Sequence, residues 1–108
     1  MGKGKKTVIV WSNAPDKAIA ENIARGLMKK RLAACVHVFS AGVSIYRWEG
    51  EVHKGEEWTM MIKTRRKRMR RVVKAVKKMH PYDVPEIMVT PVVAGLKDYL
   101  SWVAGETS

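Results

Sequence analysis

His80-Pro81-Tyr82-Asp83-Val84-Pro85-Glu86 divides a basic helical pattern from an apolar strand pattern. Each proline fixes its own φ and pushes the residue before it toward extended backbone, so no helix runs through this segment. The link is therefore stiff and holds an imidazole, a phenol and two carboxylates in nearly fixed directions. Two readings follow. Either the link is a rigid turn whose His and Tyr satisfy backbone groups, or it presents those groups to a ligand.

Upstream of the link, Met69, Val72, Val73, Val76 and Met79 repeat at i, i+3, i+4, i+7 and i+10, an apolar helical stripe. The stretch Lys63–Lys78 holds ten Lys or Arg residues and no acid. The apolar stripe reads as core and the charges as its solvated face. Downstream, Ile87–Val93 reads as a strand that Pro91 confines to a sheet edge or ends. Leu96–Ala104 reads as a short helix, with Leu96, Tyr99, Leu100 and Val103 on one face.

The first half of the chain supplies the remaining elements. Thr7–Trp11 is β-branched and apolar, a short buried strand. Pro15 and Asp16 suit the first turn of a helix that carries Ala20, Ile23, Ala24 and Leu27 to about Lys30. From Cys35 to Trp48 the pattern alternates, with Gly42 at a bend or bulge. Glu49-Gly50-Glu51 turns the chain back into a long strand over Val52–Lys63, with its apolar segment at Trp58–Ile62.

The order β-α-β-β-α-β plus a terminal helix predicts an α+β, ferredoxin-like fold with an antiparallel sheet. Two helices cover one face of that sheet, but the strands supply apolar residues to both faces. The two central strands also outrun a domain of this size. Both features predict self-association into a small closed ring.

The chain has 108 residues, 46% of them hydrophobic, which suits one domain with a real core. We read residues 7–108 as that domain and residues 1–6 as a mobile basic extension. Cys35 stands alone, so no intrachain disulfide forms, which fits a reducing compartment and a cytoplasmic location. The start lacks an apolar signal core and a myristoylation pattern, and no apolar run reaches the ~20 residues of a membrane span. No phosphate-binding glycine loop or nucleophile elbow is present, and an enzyme is not expected.

Five segments together resemble one known family. They are Arg31-Leu32-Ala33-Ala34-Cys35-Val36, Ser44-Ile45-Tyr46-Arg47-Trp48-Glu49-Gly50, Met61-Ile62-Lys63-Thr64, the His80–Glu86 link and Asp98-Tyr99-Leu100-Ser101-Trp102. In this order and spacing they resemble the CutA1 divalent-ion tolerance family from about Thr7 to Val103. The resemblance implies a ferredoxin-like homotrimer, similar to PII signalling proteins, with clefts between subunits. It also implies a part in the response to copper and other divalent metals, with no obligatory cofactor.

Three site readings follow. For a divalent metal such as Cu(II), His80 and Glu86 are the candidate ligands, with Cys35 as a third. Some family members carry a cysteine at the end of the first strand as a proposed ligand; Ser12, a poorer one, stands there in this chain. His37 and His53 carry no ligand spacing with the link. For an anionic ligand, Lys63, Trp48 and Tyr82 would line an intersubunit cleft near His80. For a polyanion such as RNA, Arg66, Arg70 and Lys74 on the basic helix are the candidates, though no aromatic residue interleaves them for base stacking.

Overall fold

A computed structural model describes residues 6–108. The extension expected over residues 1–6 falls, but for Lys6, outside the described residues. The elements are β1 (Thr7–Ala14), α1 (Lys17–Lys29), β2 (Cys35–Trp48), β3 (Glu51–Arg65), α2 (Met69–Met79), β4 (Ile87–Pro91) and α3 (Lys97–Glu106). A 3-10 turn over Arg66–Arg68 leads into α2. The four strands form one antiparallel sheet in the order β2-β3-β1-β4, the ferredoxin-like arrangement that the element order predicts.

Local chemistry explains most of the boundaries. The Asp16 carboxylate accepts from the Ile19 backbone N–H at 2.8 Å and caps α1. Pro81 holds His80 extended, at φ −81° and ψ 138°, and so stops α2. Glu49 and Gly50 both have positive φ, 51° and 82°, between the paired residues Trp48 and Glu51. That is the two-residue hairpin turn whose twist matches the strands, with Gly50 suited to it and Glu49 strained. At Gly42, φ 80°, the register slips by one residue against β3, as expected of a bulge.

Four boundaries differ from the sequence reading. β1 runs on to Ala14 because Ser12 and Asn13 pair with Met60 and Thr59 of β3. β4 stops at Pro91, although the Val92 N–H still donates to the Thr7 carbonyl. The last helix is shifted to Lys97–Glu106. The basic segment is split: Lys63 and Arg65 belong to β3, and the helix proper starts at Met69.

Strand alternation divides the sheet into two unlike faces. On one face, Val10, Ala14, Met60 and Ile62 pack with Ala20, Ile23 and Leu27 of α1 and Val72, Ala75 and Val76 of α2. This is the core, and each fully buried Ile or Leu stabilises by about 2–3 kcal/mol. Only one end of the other face is covered, by α3. There Val103 is buried, Lys63 Nζ lies 5.8 Å from the Tyr99 ring centroid, and Arg65 and Arg68 donate to the Thr107 carbonyl. The rest stays open: Phe39 and Met88 are exposed. Beyond the bulge the β2–β3 hairpin leaves the four-stranded sheet, since β1 pairs with β3 only from Trp58 onward. It carries Val43, Ile45 and Val52 into solvent.

Candidate functional site

The overhanging hairpin and the His80–Glu86 link enclose an open cleft of about 420 Å³. Alternation along the hairpin puts Ser44, Tyr46 and Trp48 of β2 on the same side as His53 and Glu57 of β3. Tyr46 and His53 are cross-strand partners whose rings stack at 5.5 Å between centroids. The opposite wall comes from Tyr82, Asp83, Val84 and Glu86 of the link. Three carboxylates and an imidazole therefore line this cleft, without a single Lys or Arg among the described residues, in a chain of net charge +11.

The link is anchored from behind. Ser12, fully buried, donates its hydroxyl proton to the Glu86 carbonyl at 2.6 Å. Thr59 Oγ1 donates to Asn13 Oδ1 at 2.6 Å, and Asn13 Nδ2 donates to Glu86 Oε1 at 3.1 Å. This chain of bonds sets the direction of the Glu86 carboxylate and leaves its second oxygen without a hydrogen-bond partner among the described residues. Burial pushes the Tyr82 phenol above its ordinary value, and the negative charge of Glu57 adds to the shift, followed by Tyr46 and Asp16. The carboxylates of Glu57, Asp83 and Glu86 put negative charge on the walls of the cleft.

His80 is positioned differently from the expectation that made it a ligand. It is buried, and both ring nitrogens are engaged by backbone: Nδ1 accepts from the Tyr82 N–H at 3.1 Å, and Nε2 lies 2.6 Å from the Asn13 carbonyl. Because Nδ1 accepts, Nε2 carries the proton and donates. The ring also packs on Tyr82, with centroids 4.9 Å apart. Of the two readings of the link, the rigid turn that satisfies backbone groups is the one His80 fulfils. A metal at His80 has to displace one of these bonds.

The structure does not bring Cys35 to the link. It pairs with Lys63, which pairs in turn with Ile9, four residues along β1 from Asn13. At about 3.4 Å per residue and 4.8 Å per strand, the separation from Asn13 is roughly 17 Å. Nor does Lys63 join Trp48 and Tyr82. Those two share the cleft, whereas Lys63 lies on the covered part of the open sheet face against Tyr99. Within one chain, Trp48 and Tyr82 therefore meet without Lys63. Sequence reasoning missed Tyr46 and Glu57, set His53 aside for want of ligand spacing, and named Asp83 only as one of the link's two carboxylates. The hairpin register was the signal for the first three, since counting back from the turn pairs Tyr46 with His53. Arg66, Arg70 and Lys74 are exposed on the outer surface and take no part in the cleft.

Among the described residues, no three His, Cys, Asp or Glu side chains converge closely enough to hold a metal within one chain. The donor types in the cleft nevertheless suit a divalent cation such as Cu(II) or Zn(II).

The sequence profile described as CutA1 divalent ion tolerance protein matches residues 8–106. The chain belongs to the CutA1 family. A divalent-cation tolerance protein CutA from Thermus thermophilus is 38% identical over 99 residues, covering 92% of this chain and 96% of its own. A CutA homolog from Danio rerio is 37% identical over 92 residues, covering 85% of this chain and 61% of its own. Among solved structures, CutA from Xylella fastidiosa superposes with a TM-score of 0.92 at 35% identity, covering 95% of this chain and 99% of its own. CutA1 from Oryza sativa does so with 0.92 at 32%, covering 98% and 97%. The Thermus thermophilus relative is named for tolerance of divalent cations, not for a reaction. No helix among the described residues is long and apolar enough to cross a membrane.

Proposed function

We propose that this CutA1 protein acts in divalent-cation tolerance by binding the cation, Cu(II) foremost, in the cleft between the hairpin and the link. One observation carries the reading: Glu57, Asp83, Glu86 and His53 face a common space that holds no cation of the chain's own. Carboxylate and imidazole donors attract divalent metals, and Cu(II) heads the usual affinity order for such sites. Because no three donors converge among the described residues of one chain, water or a neighbouring subunit completes the coordination, and binding is modest. His80 acts as a positioning residue that fixes Tyr82 and, through Asn13, the wall of the cleft.

The assembly belongs to the same proposal. Exposed Val43, Ile45 and Val52 on the hairpin, and Phe39 and Met88 on the open sheet face, supply the apolar surface for a homotrimer, the order that the CutA1 resemblance implies. The role is binding, without catalysis. The lone Cys35, a free thiol, supports a cytoplasmic setting.

Calorimetric titration with Cu(II) tests the site. The wild-type protein gives a saturable signal, and Glu57→Gln with Glu86→Gln removes most of it. Wild-type binding that survives the double substitution unchanged places the metal elsewhere.

A further inference from the structure

The outer face of α2 is charged in a way that neither the fold nor the cleft requires. Arg66 and Lys67 on the 3-10 turn, and Arg70, Arg71, Lys74, Lys77 and Lys78 on the helix, are all exposed. At about 100° per residue, the five helical cations fall within roughly 120° of one another on the helical wheel. They lie opposite buried Val72, Ala75 and Val76. No carboxylate balances them. The ion pairs of the described residues are Lys17–Glu21, Arg25–Glu21 and Arg31–Glu106, none of them on α2.

This arrangement works against the helix. Arg70–Lys74 and Lys74–Lys78 are like charges at i,i+4, each opposing helix formation by a few tenths of a kcal/mol. Arg70 and Arg71 sit in the first turn, at the positive end of the helix dipole, where no acid and no side-chain cap offset them. A polyanion would relieve all of these terms at once. Beside the helix start, Lys6, Arg65, Arg66 and Lys67 line a notch of about 430 Å³, with Lys6 held there by the Arg66 N–H, which donates to its carbonyl at 2.6 Å.

We propose that this face docks the phosphate backbone of a nucleic-acid duplex, without sequence preference. The helix is about 16 Å long, so its cations reach several phosphates of a duplex, which carries one charge per strand for every ~3.4 Å of its axis. No aromatic residue lies on the face to stack with an unpaired base, which favours a duplex over a single strand. A lipid surface is the poorer fit, because every apolar side chain of α2 faces the core or the neighbouring elements and none is exposed for insertion. None of the exposed large apolar side chains lies on α2, so assembly through apolar surface leaves this face free. The inference is independent of the cation cleft.

Fluorescence anisotropy of the full chain with a labelled 20-base-pair duplex of arbitrary sequence tests it. Five to seven phosphate contacts give a slope of about −4.5 to −6 in log K against log salt. Arg70→Gln with Lys74→Gln lowers the affinity about tenfold or more at low salt and reduces the slope by about 2. Lys54→Gln with Lys97→Gln removes the same charge from exposed positions off this face and changes affinity less than twofold. These are surface positions, and an unchanged melting temperature confirms folding in both double variants. The proposal is overturned if no duplex binds at 50 mM salt, or if the two variants weaken binding equally. It is also overturned if anionic phosphatidylserine vesicles bind and the duplex does not.

Discussion

Replacing His80 with alanine separates a structural histidine from a metal ligand. The ring leaves behind a Tyr82 N–H that had an acceptor at 3.1 Å and an Asn13 carbonyl that had a donor at 2.6 Å. A buried group stripped of its partner costs about 1–3 kcal/mol, and the ring itself is 8% exposed and packed on Tyr82. Solvent reaches the Tyr82 side and softens the first loss, so the expected destabilisation is roughly 2–4 kcal/mol. Urea unfolding at fixed protein concentration measures it, since an oligomer's midpoint moves with concentration. His80→Gln, whose amide offers N–H donors and a carbonyl acceptor, recovers part of the loss. The folded His80→Ala protein still binds Cu(II) in the cleft. Unchanged stability together with lost metal binding would refute the reasoning and make His80 the ligand.

Other outcomes follow from the same geometry. Glu49→Asn places a residue that tolerates positive φ in the hairpin turn and stabilises by up to about 1 kcal/mol, whereas Gly50→Ala destabilises by about the same amount; thermal melting decides both. Ile45→Asp, at a position 71% exposed in the single chain, leaves the secondary structure intact and lowers the mass seen by analytical ultracentrifugation; an unchanged mass excludes the hairpin from the assembly. Tyr82 is held above the ordinary tyrosine value of about 10, so its contribution to stability is full below that pH and is lost as pH rises through the folded-state value. Tyrosinate absorbance should show Tyr82 ionising at lower pH in Glu57→Gln, and also when a divalent cation occupies the cleft. No movement in either case removes the electrostatic link between Glu57 and Tyr82.

Much of the fold was legible because its signals are local. Prolines 81 and 85, the Glu49-Gly50 turn and the 3.6-residue spacing of Val72, Val76 and Met79 each report on their own neighbourhood. Polar strand residues were harder to read. Ser12 and Asn13 look like loop, yet they pair with β3 and bond to Glu86 from 74 and 73 residues away. The cleft was half legible. Trp48, Tyr82 and Glu86 were singled out with Lys63, which shares the β3 face of Glu57 and His53 but lies six residues beyond Glu57, against Tyr99. Glu57 and His53 face the cleft by simple alternation along β3, and the bulge at Gly42 shifts β2 by one residue so that Ser44, Tyr46 and Trp48 share that side. His80 shows the converse limit. Its residue type suggests a ligand, and only the positions of two backbone groups reveal that its nitrogens are already engaged.

The central claim is that the acidic cleft between hairpin and link is where the cation binds. Anomalous diffraction from crystals of the native assembly soaked in Cu(II), recorded at the copper edge, tests it most directly. The account predicts a peak bounded by Glu57 and Glu86, near His53 and Asp83, lost in Glu57→Gln with Glu86→Gln. A peak on Cys35 or on the His80 ring, with the cleft empty, contradicts it.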